Sequence, residues 1–476
     1  MITRIDRSWR RTALQACAAL ALTASFGPRC LGQEAQHDAH GGARSPRPSR
    51  LPVEALEMPE LQGEPLTLAE LEQLTLERNP EIHQTALQIR AAEGLRRQVG
   101  LYPNPRAGFA IEEEPLSSGR DGGKQGGFLA QTIVVGGKRR LNREIFGHEV
   151  ERTRAVHELA RIRELNRVRL LYYRTVAAQR LVVLHQRLAA LAGEAVEITE
   201  QLWNTGAADL PDRLAIEIEA ETAELAVGDA ASELASLWQE LRSAVGDPGL
   251  EPRRLADTLE DEPPVLEQRA ALEAILAASP EMRFADLGIR RAELALAREK
   301  AEPIPDLELM AGVLDNREPV MPGGPAIGNE IFGEVGITIP LFDRNQGNIE
   351  AARAELDRFE AEVRRARTKI EARFAPVYRS YERESERARR YRESILARAQ
   401  QAYELYLERY GQMAAAYPQV LLSQRTLFEA EAGYVETLGR MWESVVLLQG
   451  MLLVEEPSPT ILDDAVLRRT PIEVAQ

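Results

Sequence analysis

Six histidines and two cysteines are the imidazole and thiol side chains that this 476-residue chain could offer a metal ion. The histidines stand at 37, 40, 83, 148, 157 and 185, and only "HDAH" (His37, His40) has ligand-like spacing. It lies in a polar, Pro-rich stretch, where an unstructured segment holds ions weakly. Cys17 and Cys30 fall in an N-terminal run with the marks of an export signal, so the mature chain is expected to lack thiolate ligands, disulfides and a Cys nucleophile. No Gly-rich phosphate loop, zinc-protease helix motif or nucleophile elbow is present. Neither an enzyme nor a cofactor site is expected. The chemistry that remains is that of carboxylates, Glu308 and Glu334 above all, which stand in alternating segments and attract cations without reacting with them.

The elements that position those carboxylates follow from the pattern of the chain. "MITRIDRSWRR" is a basic stretch, "TALQACAALALTASF" an apolar one, and "CLG" ends in a small residue, the order of a secretory signal over 1–32. Its removal leaves 54 basic against 73 acidic residues, a net charge of −19, which argues against nucleic acid as a partner. Residues 33–64 read as a flexible leader and 455–476 as a C-terminal tail. No later stretch has the apolar length of a membrane helix, so any crossing is expected to use strands.

Helix formers dominate from "LTLAELEQLTLERNPEI" onward. The stretch 137–202 contains no proline, and as one helix it would be about 100 Å long. Its counterpart, 343–410, is as long, with Pro376 expected to kink or end it. Shorter helices are expected over about 67–100, 212–245, 266–301 and 419–453. The chain also repeats itself. "NPEIHQTALQIRAAEGLRRQVGLYPNP" (79–105) aligns without gaps on "SPEMRFADLGIRRAELALAREKAEPIP" (279–305), with nine of 27 positions identical at a shift of 200. Pro80, Glu93 and the pair Pro103/Pro105 recur as Pro280, Glu293 and Pro303/Pro305. Each half runs helix, Pro-x-Pro, two strand-like runs, very long helix, Gly-containing turn, return helix. The halves are placed at 65–263 and 264–454.

Four strands are expected, at about 105–112, 128–135, "PDLELMAGVL" and "EIFGEVGITIPL". In the last two, Leu307, Leu309, Ala311, Val313, Ile331, Val335, Ile337, Ile339 and Leu341 take one face, opposite Glu308, Met310, Phe332 and Glu334. This alternation suits a transmembrane barrel or a small soluble sheet packed on helices. The export signal and the long helices favour the barrel, with Glu308 and Glu334 toward its lumen. Four strands cannot close one, and open edges are not tolerated in lipid, so other copies of the chain must complete it. At the junctions, "VVGGKRR" offers Gly136 and Gly137, and "IPLFDRNQGN" offers Pro340, where the strand would leave the membrane. Asp343 is expected to start the helix, and Gly347 to let the wall turn closely.

With their order and duplication, these motifs resemble the outer membrane efflux protein (TolC) family over about 65–453. "GGKRR" paired with "LFDRNQG" is most similar to the members serving heavy-metal resistance-nodulation-division pumps of the cobalt–zinc–cadmium type. The resemblance implies a mainly α protein with a small antiparallel β part. Three copies would form a twelve-stranded β-barrel in outer-membrane lipid and a twelve-helix α-barrel across the periplasm, docked on an adaptor protein and an inner-membrane pump. It places loops 113–127 and 315–330 outside, and the turns at 204–211 and 410–418, with Gly206 and Gly411, at the periplasmic tip. In the family, acids after the second turn often narrow the aperture; here Gln419 and Leu422 stand in their place. Any acidic constriction would come from Asp209 and Asp212, which as well suit the capping of a return helix beside Pro211. A periplasmic adaptor (membrane fusion) protein would carry one long hairpin between β halves. An exported coiled-coil scaffold without a pore leaves the duplicated strands unexplained.

Overall fold

The computed structural model describes residues 64–453 apart from 113–122, 207, 322–323, 413 and 415–416. The signal, nearly all of the leader and the tail 455–476 lie outside the described residues. Two short helices come first, α1 (Leu68–Arg78) and α2 (Pro80–Gln98), followed by β1 (Arg106–Glu112), β2 (Lys124–Ile133), α3 (Lys138–Asn204) and α4 (Leu210–Val245). The second half repeats this order with α5 (Gln268–Ala278), α6 (Pro280–Ala301), β3 (Leu307–Pro319), β4 (Ala326–Ile337) and α7 (Gln346–Arg390). A π-helical turn, Tyr391–Ile395, joins α7 to α8 (Leu396–Gly411), and α9 (Tyr417–Gln449) returns. The start of α5 lies 200 residues after that of α1, and that of α6 200 after α2.

Local chemistry explains the helix starts. Thr67 and Glu70 exchange hydrogen bonds in a capping box that opens α1. Asn79 stops α1 and caps α2, its Oδ1 accepting from the N–H groups of Glu81 and Ile82, while its Nδ2 donates to the Ala244 carbonyl at 2.8 Å. Pro80 and Pro280 fill the first helical turn, where a missing N–H is harmless.

Of the two outcomes expected at Pro376, ending the helix does not occur: Pro376 sits inside α7. The interruption lies further on, where one extra residue per turn opens the π-helical turn at Tyr391–Ile395. There the Tyr391 ring lies 6.2 Å from that of Tyr434, and its hydroxyl occupies the space a Cβ would need at Gly433.

The core lies where α3, α4, α7 and α9 pack together beneath residues 250–266. Val168, Leu171, Val176, Leu241, Ile370, Phe374, Val445 and Val446 are buried there. The crossing segment is fastened by side-chain donors. Tyr172 donates to the Ala256 carbonyl at 2.5 Å, Trp442 Nε1 to that of Leu259 at 2.9 Å, Tyr381 to that of Pro264 at 2.7 Å and Tyr378 to that of Leu266 at 2.9 Å. Each ring buries its apolar body among the helices and spends its one polar atom on a backbone carbonyl that would otherwise go unpaired.

The four strands form one antiparallel sheet in the order β1-β2-β3-β4, leaving β1 and β4 as edges. β2 begins at Lys124, four residues before the expected start at 128, and β4 ends at Ile337, short of the expected Leu341. The outer loops are correspondingly shorter than 113–127 and 315–330. Pairing between β3 and β4 continues to Pro319 and Ala326 past an irregularity after Asn316, and the Arg317 N–H donates to the Gly123 carbonyl at 3.1 Å. No described helix is long and apolar enough to cross a membrane.

Candidate functional site

The sheet has two chemically different faces. Register places Ala107, Phe109, Ile111, Leu129, Ile133, Leu307, Leu309, Val313, Ile331, Val335 and Ile337 on one side. Most of these are exposed, Ile331 at 86% and Val335 at 72%, so the single chain presents a mainly apolar sheet face to its surroundings, interrupted by Gln131 and, toward the loops, by Gln125, Asp315 and Asn329. The other face carries Arg106, Lys124, Thr132, Glu308, Glu330 and Glu334, with Phe128, Met310 and Phe332 between them. Glu308 pairs across with Gly336 and Glu334 with Met310, so the two predicted carboxylates share this polar face. Lys124 lies 3.9 Å from Glu330 on the same side.

The two junctions between sheet and long helix differ. Gly136 and Gly137 take φ of 68° and 70°, a region that suits glycine, and a Cβ on Gly136 would come within 3.0 Å of the Ile304 side chain. Behind them Lys138 is buried, its Nζ 3.1 Å from Asp306 Oδ1, which also accepts the Val135 N–H at 3.0 Å. Arg139 donates to the Gly100 carbonyl at 2.8 Å and lies over the Tyr102 ring. "GGKRR" is thus the inner surface of a joint between the two repeats. Asp306, two residues after Ile304 at the mouth of β3, completes it; position alone did not single it out.

At the second junction, residues 338–345 separate β4 from α7. Asp343 does not start the helix: its Oδ1 accepts the Asn345 N–H at 2.9 Å in an Asx turn, so it is used two residues short of a capping position. Asn345, at φ 60°, precedes α7 and donates to the Glu299 carbonyl at 2.9 Å. Gly347 lies in the first turn of α7, and within the chain a Cβ there would meet nothing within 4 Å. Pro340 lies three residues beyond the end of β4, in a tight turn where the Leu341 N–H donates to the Ile339 carbonyl at 3.0 Å. Its neighbours Ile339, Leu341 and Phe342 are exposed, the last at 92%.

At the first turn, Gly206 takes φ 73° and Asp209 caps α4, its Oδ1 accepting the Asp212 N–H at 3.1 Å. Both carboxylates are exposed at the start of α4. Arg213 lies 5.3 Å from the Trp203 ring. Gly411 ends α8, and Gln419 and Leu422 fall in the first turns of α9, both exposed. Leu422 and Ile216 line one groove against Ala192 of α3, which brings the starts of α4 and α9 together.

Paired charges along the helices were not picked out by motif. Glu81 pairs with the largely buried Arg163 of α3, and its repeat counterpart Glu281 pairs with Arg373 of α7. Both glutamates were among the identities of the repeat. Glu384, almost fully buried in α7, lies within 4 Å of Arg383, Arg387 and Arg440, which ties α7 to α9. Among the described residues, no group of three His, Cys, Asp or Glu side chains could hold a metal ion.

The chain thus combines an antiparallel sheet that has an exposed, mainly apolar face with very long helices leading from it in each half. Residues 271–452 match the family model described as outer membrane efflux protein. More particularly, the chain is 25% identical over 400 residues to the cobalt-zinc-cadmium resistance protein CzcC of Cupriavidus metallidurans, covering 82% of this chain and 90% of that one. A membrane protein from Pseudomonas aeruginosa has a similar fold, with a TM-score of 0.68 and 18% identity over 81% of this chain and 90% of that one. The outer membrane protein VceC of Vibrio cholerae gives 0.64 and 17% over 81% of this chain and 96% of that one. In sequence and in fold the chain is thus similar to outer-membrane efflux proteins.

Proposed function

We propose that three copies of this chain assemble into an exit duct, which passively carries metal cations from the periplasm to the exterior for an inner-membrane pump and its adaptor. The observation that carries this reading is the open four-stranded sheet with its exposed apolar face and two free edges. Lipid tolerates no unpaired strand edge, so the apolar face fits a membrane only if copies close the ring. Three chains supply twelve strands, and the polar face with Glu308 and Glu334 then lines the lumen, since a charge on the lipid face costs a few kcal/mol at mid-depth. The heavy-metal assignment is supported by the similarity to a cobalt-zinc-cadmium resistance protein and by the acidic balance of the chain.

Outer-membrane fractionation followed by native mass determination in detergent tests the assembly, with a trimer in the outer-membrane fraction as the expected result. A soluble monomer would sink it. Deleting the gene in its host should raise sensitivity to cobalt, zinc or cadmium salts; unchanged tolerance to all three would remove the metal cargo.

At the periplasmic turns, Asp209 and Asp212 supply the negative charge of the aperture in addition to their capping hydrogen bond. Exchanging both for Asn keeps a good N-cap while removing two charges per chain. Bilayer reversal potentials in a salt gradient should then move toward lower cation preference. Unchanged potentials leave the two aspartates with capping alone.

A further inference from the structure

The two halves of the chain contain a template for how one copy joins the next. Ala110 pairs with Gly126 in the first hairpin and Met310 with Glu334 in the second. The first strands of the repeats therefore correspond at a shift of 200, as in the aligned segment before them, and the second strands at a shift of 208. The helices that follow confirm the second value, starting at Lys138 and Gln346. Between the hairpins, β2 pairs with β3, and Ala130 stands opposite Met310. That is the joint between one repeat and the next.

We propose that the same joint recurs between copies, so that Thr338 and Ile339 become a continuation of β4 that pairs with β1 of the partner subunit. Applying the two shifts to Ala130 and Met310 sets Thr338 opposite Ala110 of the partner subunit. Ile337 and Ile339 then face Ile111 and Phe109 of the partner subunit on the apolar side. The inference rests on the trimeric barrel proposed above and assigns its seam.

Three observations support it. The alternation of Val335, Ile337 and Ile339 carries the apolar face of β4 past the point where β3 stops pairing with it, as far as the turn at Pro340 where the Leu341 N–H donates to the Ile339 carbonyl. All three are more than half exposed, as are Phe109 and Ile111 on the opposite edge, so both sides of the seam offer uncovered apolar side chains. Barrel geometry excludes the alternative that charge alone would choose. Arg106, Ala130, Met310 and Glu334 form one row across the sheet, and setting Glu334 opposite Arg106 of the partner subunit would return every row to its own start. A closed barrel needs its rows staggered. The row from Arg106 reaches Met310, four residues beyond the counterpart Asp306, and the proposed seam repeats that stagger.

The test is disulfide formation across the seam, in full-length chains with Cys17 and Cys30 exchanged for Ser. Thr338→Cys with Ala110→Cys, and separately Gly336→Cys with Glu112→Cys, should oxidise in isolated outer membranes to covalent dimers and trimers. Thr338→Cys with Gly108→Cys or with Glu112→Cys, each two residues out of register, should remain single chains on a non-reducing gel. Stronger linking by a shifted pair overturns the register and leaves the trimer standing. Absence of linking by every pair in a protein that is trimeric under reducing conditions overturns the seam itself. A monomeric mass for the reduced protein removes the assembly on which the inference rests.

Discussion

Gly126→Ala should abolish folded channel in the outer membrane, while Gly127→Ala, one residue along, should leave it near normal. Gly126 lies in β2 against β3, and a Cβ there would overlap the Val313 carbonyl oxygen and stand 2.7 Å from Leu314 Cα. Those are backbone atoms of the neighbouring strand, which cannot yield without breaking the ladder. A Cβ at Gly127 would find its nearest neighbour, the Gly108 carbonyl oxygen, at 3.9 Å, an ordinary contact. Overpacking a site that can relax costs about 1–3 kcal/mol, and a clash of backbone with backbone belongs at or above the top of that range. Gly126 stands at the only joint between the two hairpins of the described sheet, so loss of pairing there separates the repeats. Heat-modifiable protein in outer-membrane extracts measures the outcome. Equal amounts of the two variants would refute it.

Trp442→Ala should be the most damaging single truncation among the helices. The indole is buried in α9, stacked on the Tyr173 ring at 4.8 Å and 4°, with its Nε1 proton on the Leu259 carbonyl at 2.9 Å. Truncating a buried Trp costs about 3–5 kcal/mol. Trp442→Phe keeps most of the stack and leaves the Leu259 carbonyl without its donor, a loss of about 1–3 kcal/mol. Urea unfolding of the purified protein in detergent should rank wild type, Trp442→Phe and Trp442→Ala in that order of midpoint. An unshifted midpoint for the Ala variant would mean that the segment over the helices is held by its other donors.

The duplicated architecture was legible because its signals are local. Pro80 and Pro280 mark helix starts by a missing N–H, and Gly136 and Gly137 mark a turn by a backbone conformation that other residues rarely take. The faces of β3 and β4 could be read from alternation. The limits of elements could not, because partners far along the chain set them. Residues 338–341 keep a strand pattern yet lie beyond the reach of β3, and Asp343 has the chemistry of a cap but spends its oxygen on Asn345. The ion pairs were hidden for a related reason. Glu81 and Glu281 recur at a fixed shift, but Arg163 and Arg373 lie at different distances from them along the chain, so the repeat does not reveal the pairing. Nor does a π-helical turn leave a local mark, since its extra residue is an ordinary one.

The hydrogen bonds from Tyr172, Tyr378, Tyr381 and Trp442 to residues 250–266 make that level of the helices a fulcrum. From Tyr172 to the end of α3 at Asn204 is a lever arm of about 48 Å at 1.5 Å per residue. A swing of about 5° at the fulcrum would carry the far turn by about 4 Å, about the width of a small side chain. The two arms of a chain are not alike. α3 runs unbroken past the fulcrum, whereas the α7–α8 arm contains the π-helical turn ten residues beyond Tyr381. One arm transmits displacement, and the other has a place to bend.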